Sequence, residues 1–324
     1  MTSAQSAKPE LIYGLRKVTE DAAKAAFDWI GRGDKERGDG AAVDAMRTAL
    51  SQIDLEGLVV IGEGEKDEAP QLYNGEIVGQ SGASFKADIA VDPVEGTSYL
   101  AKGLTNAMAV IAIAPRGSMM DPGPAFYMEK FAAPAQAKGE IDPNWSTEEK
   151  LRTLAKVLKK DISDITVYAL EKPRHRQLVE EIHDAGARVL LYPAGDVAGA
   201  LLAAIPNSGV DALMGTGGTP EGIMSAVAIR ALGGEFMGRI DPQLQTEALA
   251  VKKAGLDTSR WYQLEELVGS DDLYFCATGI TTGLLLEGVE RLDEGFKMQT
   301  LMVTGQTGER QLLTTYSNCR AKKA

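Results

Sequence analysis

The sequence predicts an α/β fold, with a mostly parallel sheet covered by helices, and three observations carry that prediction. Strand-like and helix-like stretches alternate through the second half of the chain. Several short apolar runs end abruptly in glycine and acidic residues, as strands do where a sheet edge carries a ligand. The 324 residues, 44% of them hydrophobic, suffice for one large or two medium domains with a substantial core.

The elements follow in order. Between Glu20 and Ile30, the residues Ala22, Ala23, Ala26, Phe27 and Ile30 recur at helical spacing. The segment Gly31-Arg32-Gly33-Asp34-Lys35-Glu36-Arg37-Gly38-Asp39-Gly40 interrupts that pattern with four glycines. A second helix follows, with Val43, Met46, Ala49 and Leu50 on its buried face. Leu58-Val59-Val60-Ile61 reads as a buried strand that stops at Gly62-Glu63-Gly64-Glu65. Ile89 and Val91 alternate in the next strand. Pro93 cannot donate to a ladder, so a turn is expected at Asp92. Residues 107–114 form another apolar run of strand length.

In the second half, residues 166–170 suit a strand, 173–185 a helix, 188–192 a strand and 197–205 a helix. Residues 210–214 (strand), 220–232 (helix) and 273–277 (strand) continue the alternation. Charged and polar residues separate the two styles near 140–165. The expected division is an N-terminal α+β subdomain, 1–160, carrying most candidate ligands, and a C-terminal α/β subdomain, 161–324.

Composition narrows the chemistry. A formal charge of −12 argues against a nucleic-acid or anionic-membrane partner, though not against a phosphorylated metabolite held by local cations. No apolar signal core or membrane-length run is present, so a cytoplasmic location is expected. Cys276 sits in the apolar run Leu273-Tyr274-Phe275-Cys276-Ala277 and reads as a core thiol. Cys319, far away, gives it no metal spacing. His175 and His183 are the only histidines, which argues against a zinc site of the usual His/Cys kind. Any metal here is bound mainly by oxygen, which favours Mn2+ or Mg2+.

Acidic residues at strand ends supply the candidate ligands. Asp92 and Glu95 lie three residues apart across the expected turn and can aim their oxygens at one spot. Burying two such anions is costly unless a cation compensates them, and a divalent metal is the simplest resolution. Gly96 lets the backbone pass close by and Thr97 adds a hydroxyl. Glu63 stands between two glycines after a buried strand. Asp39 lies between Gly38 and Gly40, where it also suits a helix N-cap. Glu221 follows the glycine-rich Gly215-Thr216-Gly217-Gly218, where it also suits the first turn of a helix. That run exposes amides before a helix, a weak anion-site signal. Lys172-Pro173-Arg174-His175-Arg176 places three fixed cations at a strand–helix junction, where a phosphate would balance them.

These stretches occur in a telling order. Gly31 to Lys35, Ile61 to Glu65 with Asp67-Glu68-Ala69-Pro70, Asp88 to Thr97, Phe126-Tyr127-Met128-Glu129-Lys130, Lys172 to His175, Gly195-Asp196-Val197-Ala198 and Gly217 to Gly222 appear together. The chain resembles the class II fructose-1,6-bisphosphatases of bacterial type from about residue 15 to 317. The Asp-Pro-x-Glu-Gly-Thr element alone marks only the wider lithium-sensitive sugar and inositol phosphatase superfamily.

The resemblance implies a layered α/β/α/β/α sugar-phosphatase fold of two subdomains with the active site between them. It implies metal ligands at Asp39, Glu63, Asp92, Glu95 and Glu221, and a catalytic role for Thr97 beside Glu95. By the same carry-over, Tyr127, Lys172 and Arg174 hold the distal phosphate, and Gly195, Asp196 and Gly218 contact the sugar and its surroundings. Lys35 and Gly96 lie beside a phosphate. Ala194 and Ser98 depart from the family pattern, which leaves sugar length open. Hydrolysis of the 1-phosphate of fructose 1,6-bisphosphate is the expected activity. Sedoheptulose 1,7-bisphosphate is the alternative substrate and a non-catalytic sugar-phosphate sensor a remote one. A homodimer or homotetramer is expected, because closed homo-oligomers are common among soluble enzymes.

Overall fold

The computed structural model describes residues 9–64 and 71–318. Glu65, residues 67–70 and Cys319, named above, lie outside the described residues. The first part of the chain forms α1 (Pro9–Phe27), α2 (Lys35–Leu50), β1 (Glu56–Ile61), β2 (Ile77–Gly79), β3 (Lys86–Glu95), α3 (Thr97–Lys102) and β4 (Met108–Pro115). The middle forms β5 (Tyr127–Ala133), α4 (Thr147–Leu158), β6 (Thr166–Leu170), α5 (Arg176–Asp184), β7 (Arg188–Tyr192) and α6 (Asp196–Ala204). It continues with β8 (Ala212–Gly218), α7 (Thr219–Leu232), β9 (Glu235–Ile240), α8 (Gln245–Lys253), β10 (Tyr262–Gln263) and α9 (Leu264–Leu267). Last come β11 (Tyr274–Gly279), β12 (Glu290–Leu292), β13 (Gly295–Thr304) and β14 (Glu309–Asn318).

The fold is mixed α/β, with two sheets and helices, as expected. The chain divides into two compact units, Met1–Ser118 with Ser270–Ala324, and Met119–Gly269. This differs from a single cut at residue 160. The second unit is an insertion, because β11 returns to pair with β4 from residue 274 onward. Such a return depends on pairing between distant strands, which no local composition shift reports.

The first unit is built on an eight-stranded sheet in the order β12-β13-β11-β4-β3-β1-β2, with β14 added on β13. Leu15, Val18, Ala22 and Ala26, spaced three and four residues apart, are fully buried along α1. The helix therefore starts well before Glu20 and ends at Phe27, ahead of the glycine segment. Beneath it lies a polar seam. The Thr19 hydroxyl bonds that of Thr278 at 2.7 Å, which bonds Thr300 at 2.8 Å. Glu20 accepts from Thr315 at 2.6 Å and from Arg16 at 2.7 Å. Each buried hydroxyl thus keeps a partner, which avoids the cost of an unmade bond.

The second unit carries a six-stranded sheet in the order β10-β9-β5-β8-β6-β7. The stretch β6-α5-β7-α6-β8 is a run of βαβ crossovers, and its pairs are parallel. Elsewhere among the described residues parallel pairing occurs only between β1 and β3, and the remaining ladders are antiparallel. The expected mostly parallel sheet is corrected accordingly. Strands such as β3 and β4, joined by one short helix and loops, double back on each other. Leu151 and Leu154 of α4 and Ile182 of α5 pack on Phe131, Val167, Met214 and Met237 to form this unit's core on one sheet face. No helix among the described residues is long and apolar enough to cross a membrane.

Candidate active site

In the first unit, parallel neighbours β1 and β3 bring their C-terminal ends to the same sheet edge. Glu63 follows β1, and Asp92 and Glu95 lie at the end of β3. The expected turn at Asp92 is a bulge instead. Asp92 pairs with Val110 and Glu95 with Met108, so three steps on one strand face two on the other. Pro93 occupies the bulge, where no ladder donor is required. The Val94 amide donates to Asp92 Oδ1 at 3.0 Å, which fixes that carboxylate. One carboxylate oxygen of Asp92 and one of Glu95 lie within 4.8 Å of each other, and Glu95 is only 4% exposed.

Gly96 follows at φ +87°, the left-handed region. A Cβ there would stand 2.7 Å from the Tyr99 ring, so glycine is required. This sharp reversal starts α3 at Thr97, directly after the two acids in the chain.

Asp39 is not the N-cap of its helix. Asp34 is, accepting from the Arg37 amide at 3.1 Å, and α2 begins at Lys35. Asp39 therefore sits inside the helix, half-buried, and its carboxyl is hydrogen-bonded to that of Glu63. Burial first, then the Asp39 charge, pushes Glu63 up to about 8. Burial also raises Asp39 above the usual carboxylate range. Two carboxyl groups that meet in this way repel when both are charged, and a divalent cation would offset that charge.

In the second unit, Glu221 stands in the first turn of α7, after β8. Its side chain curls back so far that a Cβ on Gly218 would lie 1.8 Å from Oε2. That oxygen is buried and has no hydrogen-bond partner among the described residues. Burial, and next the Asp196 charge, raise the Glu221 pKa, while Lys130 acts against them. Asp196 opens α6 behind Gly195, which is at φ +79°. Asp196 accepts from the fully buried Lys130 ammonium at 2.6 Å. A Cβ on Gly217 would lie 1.8 Å from that Asp196 oxygen. The glycine run is therefore not an exposed amide cradle. Gly215 to Gly218 pair in register with β5, and their missing side chains make room for His175, Asp196 and Glu221.

Arg174 donates to the Thr216 carbonyl through Nε at 3.0 Å and Nη2 at 2.7 Å, and its guanidinium lies 5.2 Å from the Tyr127 ring centre. Lys172 precedes it as the cap of a 3-10 turn. Behind them, buried His175 meets the Leu170 carbonyl through Nδ1 at 2.7 Å, and its Nε2 accepts from the Thr216 amide at 2.8 Å. The two acceptor and donor roles fix a neutral ring, and burial pushes its pKa below the ordinary value.

Each unit thus gathers its own share of the expected site. The first brings together Asp39 with Glu63, and Asp92 with Glu95 and Thr97, while Lys35 opens α2 on the surface. The second brings Tyr127 to Arg174, and Asp196 to Glu221, with Gly195 and Gly218 as the caps of α6 and α7. Lys130 and His175 carry weight that spacing did not reveal. Lys130 stands in β5 and its partner Asp196 opens α6, far along the chain, so no local pattern joins them. The donor set fits hard divalent ions. All of it is carboxylate oxygen, with one buried oxygen that has no donor among the described residues and two acids in direct contact.

Comparison with known proteins agrees. The family profile described as bacterial fructose-1,6-bisphosphatase, glpX-encoded, matches residues 9–317. The "Fructose-1,6-bisphosphatase 1 class 2" of Escherichia coli strain K12 is 44% identical over 311 residues, 92% of each chain. The "Fructose-1,6-bisphosphatase class 2" of Shigella flexneri matches equally. Among solved structures, an extragenic suppressor from Pyrococcus furiosus aligns at 10% identity and a TM-score of 0.31, over 59% of this chain and 68% of that one. With relatives at this identity and a match that runs from α1 to β14, the chain belongs to the bacterial, glpX-encoded family of class II fructose-1,6-bisphosphatases.

Proposed function

We propose that this protein hydrolyses the 1-phosphate of fructose 1,6-bisphosphate to fructose 6-phosphate and phosphate, with Mn2+ or Mg2+ as its cofactor. The observation that carries the metal requirement is the buried Glu221 oxygen with no donor among the described residues, together with the contact between the Asp39 and Glu63 carboxyls. Asp39, Glu63, Asp92, Glu95 and Glu221 are the proposed ligands. Bound divalent ions supply Lewis-acid charge neutralisation and make water a stronger nucleophile at neutral pH.

The chain's own groups do the rest. Thr97, held by the Gly96 reversal beside Glu95, orients the attacking water through its hydroxyl. Asp92 is held by its own Val94 amide, so its carboxylate needs little rearrangement during the reaction. Tyr127, Lys172 and Arg174 grip the distal phosphate, with Arg174 prealigned on the Thr216 carbonyl. Gly195, Asp196 and Gly218 face the sugar, the Lys130 ion pair holding Asp196 in one rotamer. Lys35 and Gly96 border the phosphate that leaves.

Thr97→Ala is expected to lower kcat by about 10²-fold with KM near the parent value, because its hydroxyl acts on the reacting water. Arg174→Met is expected to raise KM for the bisphosphate by about tenfold with a smaller effect on kcat. Unchanged turnover in the first, or unchanged KM in the second, removes that residue from its role.

A further inference from the structure

The grip assigned to the distal phosphate leans on one residue of β8. Thr216 is 6% exposed, and each of its three polar groups is committed. Its amide donates to His175 Nε2 at 2.8 Å, and its carbonyl accepts both Arg174 bonds, at 3.0 and 2.7 Å. Its hydroxyl donates to Asp241 Oδ2 at 2.6 Å. Asp241 in turn donates its amide to the Tyr127 carbonyl at 3.0 Å. Thr216 is thus tied to both Arg174 and Tyr127, whose side chains lie against each other.

The sheet explains why side chains take these bonds. On one side, β8 is paired with β5 from Leu213 to Gly218. On the other, the ladder with β6 reaches only Ala212 and Leu213, and β6 ends at Leu170. Beyond that point Thr216 has no strand neighbour on the β6 side among the described residues, and an unpaired buried backbone group is costly. The 3-10 turn Pro173–His175, which follows β6, fills the gap. Two consecutive residues divide the work, Arg174 taking the carbonyl and His175 the amide. The His175 ring also reaches the Leu170 carbonyl through Nδ1 at 2.7 Å, so it spans from the end of β6 to β8. Because Nε2 accepts, the ring proton is on Nδ1 and both nitrogens are used. Gly215, at φ +119°, leaves room for the ring, since a Cβ there would stand 2.8 Å from Nε2.

We propose that His175 is a positioning residue for substrate affinity: by holding the Thr216 amide, it fixes the carbonyl on which Arg174 is aligned for the distal phosphate. This rests on the assignment of Arg174 to that phosphate. Thr216 stands between Gly215 and Gly217, the residue type that restrains the backbone least, so an external anchor counts for more there. Its amide and carbonyl belong to the two rigid peptide planes that flank one Cα, and releasing the first frees the second to turn. His175 acts through Arg174 and is not itself a catalytic residue.

The test compares two replacements that each keep one of the two ring bonds. His175→Gln places a side-chain carbonyl near the Nε2 position, where it accepts from Thr216, and loses the bond to Leu170. His175→Asn keeps an amide donor near Nδ1 for Leu170 and leaves the Thr216 amide without an acceptor. Each loses one buried bond, so a merely structural histidine would respond alike to both. KM and kcat are measured for fructose 1,6-bisphosphate with saturating Mn2+. His175→Asn is expected to raise KM about fivefold with kcat within about twofold, since one rotamer-rich side chain loses its alignment. His175→Gln should stay within about twofold of the parent KM. In an Arg174→Met background, His175→Asn should raise KM no further, because the group it positions is gone. Equal KM values in the two single His175 variants, or an additive rise in the double variant, overturn the proposal. A KM in His175→Gln as high as in Arg174→Met also overturns it, which decides the matter if His175→Asn does not fold. An unchanged KM in Arg174→Met alone overturns the assignment of the grip itself, and the proposal falls with it.

Discussion

Replacing Lys130 by Met should destabilise the protein strongly while leaving its surface unchanged. The Lys130 ammonium and the Asp196 carboxylate stand 2.6 Å apart, with side chains 1% and 7% exposed. At an effective dielectric near 20, that attraction is about 6 kcal/mol, and the two desolvation costs offset much of it. Removing only the cation keeps the cost of the buried carboxylate and loses the attraction. Glu221, already raised by the Asp196 charge, loses the same counterion. The expected penalty is ~3–5 kcal/mol. The assay is urea unfolding followed by tryptophan fluorescence, since Trp145 and Trp261 both lie in the second unit. Lys130→Met/Asp196→Asn, which removes both charges, should recover at least ~2 kcal/mol of the loss. A single-variant penalty below ~1 kcal/mol, or a double variant no better than the single, would refute the buried-pair argument.

Two further outcomes follow from the same side chains. Glu221→Gln should leave the melting temperature of metal-free protein undiminished, because it removes a buried oxygen without a donor, yet abolish most of the stabilisation by added Mn2+ and lower activity by about 10²-fold. Full activity, or undiminished metal stabilisation, would exclude Glu221 as a ligand. His175 gives a pH signature: its folded pKa lies below 6.5, so in the window beneath 6.5 the unfolded chain holds more protons. Its contribution is complete above pH 6.5 and declines as the pH falls towards the folded pKa, at up to ~1.4 kcal/mol per pH unit. His175→Asn should lower stability at pH 7.5 and flatten the acid limb between pH 6.5 and 5.5. Equal slopes in both proteins would contradict the neutral, doubly bonded ring.

Much of the candidate site was legible because strands that end in carboxylates leave a local signature. Glu63 after Ile61, Asp92 and Glu95 after Val91, and Glu221 after Gly218 could all be read from apolar runs meeting glycine and acid. The mixed α/β class was legible for the same reason. What was hidden depended on distant partners. Nothing near residue 270 says that β11 rejoins β4, and Lys130, quoted only within a resemblance motif, finds its partner Asp196 far along the chain. The glycines of β8 look like an anion loop until β5 pairs with them and the Asp196 and Glu221 oxygens take the space of their missing side chains. Asp39 was open between a cap and a ligand, and the Asp34 cap closes the first option.

The most direct test of the central claim is phosphate release by metal-stripped protein with Mn2+ or Mg2+ restored, using fructose 1,6-bisphosphate, fructose 6-phosphate and sedoheptulose 1,7-bisphosphate in parallel. Release from fructose 1,6-bisphosphate that requires the metal, with none from the monophosphate, is the predicted result. Metal-independent release, equal release from the monophosphate, or no release from any of the three would contradict it.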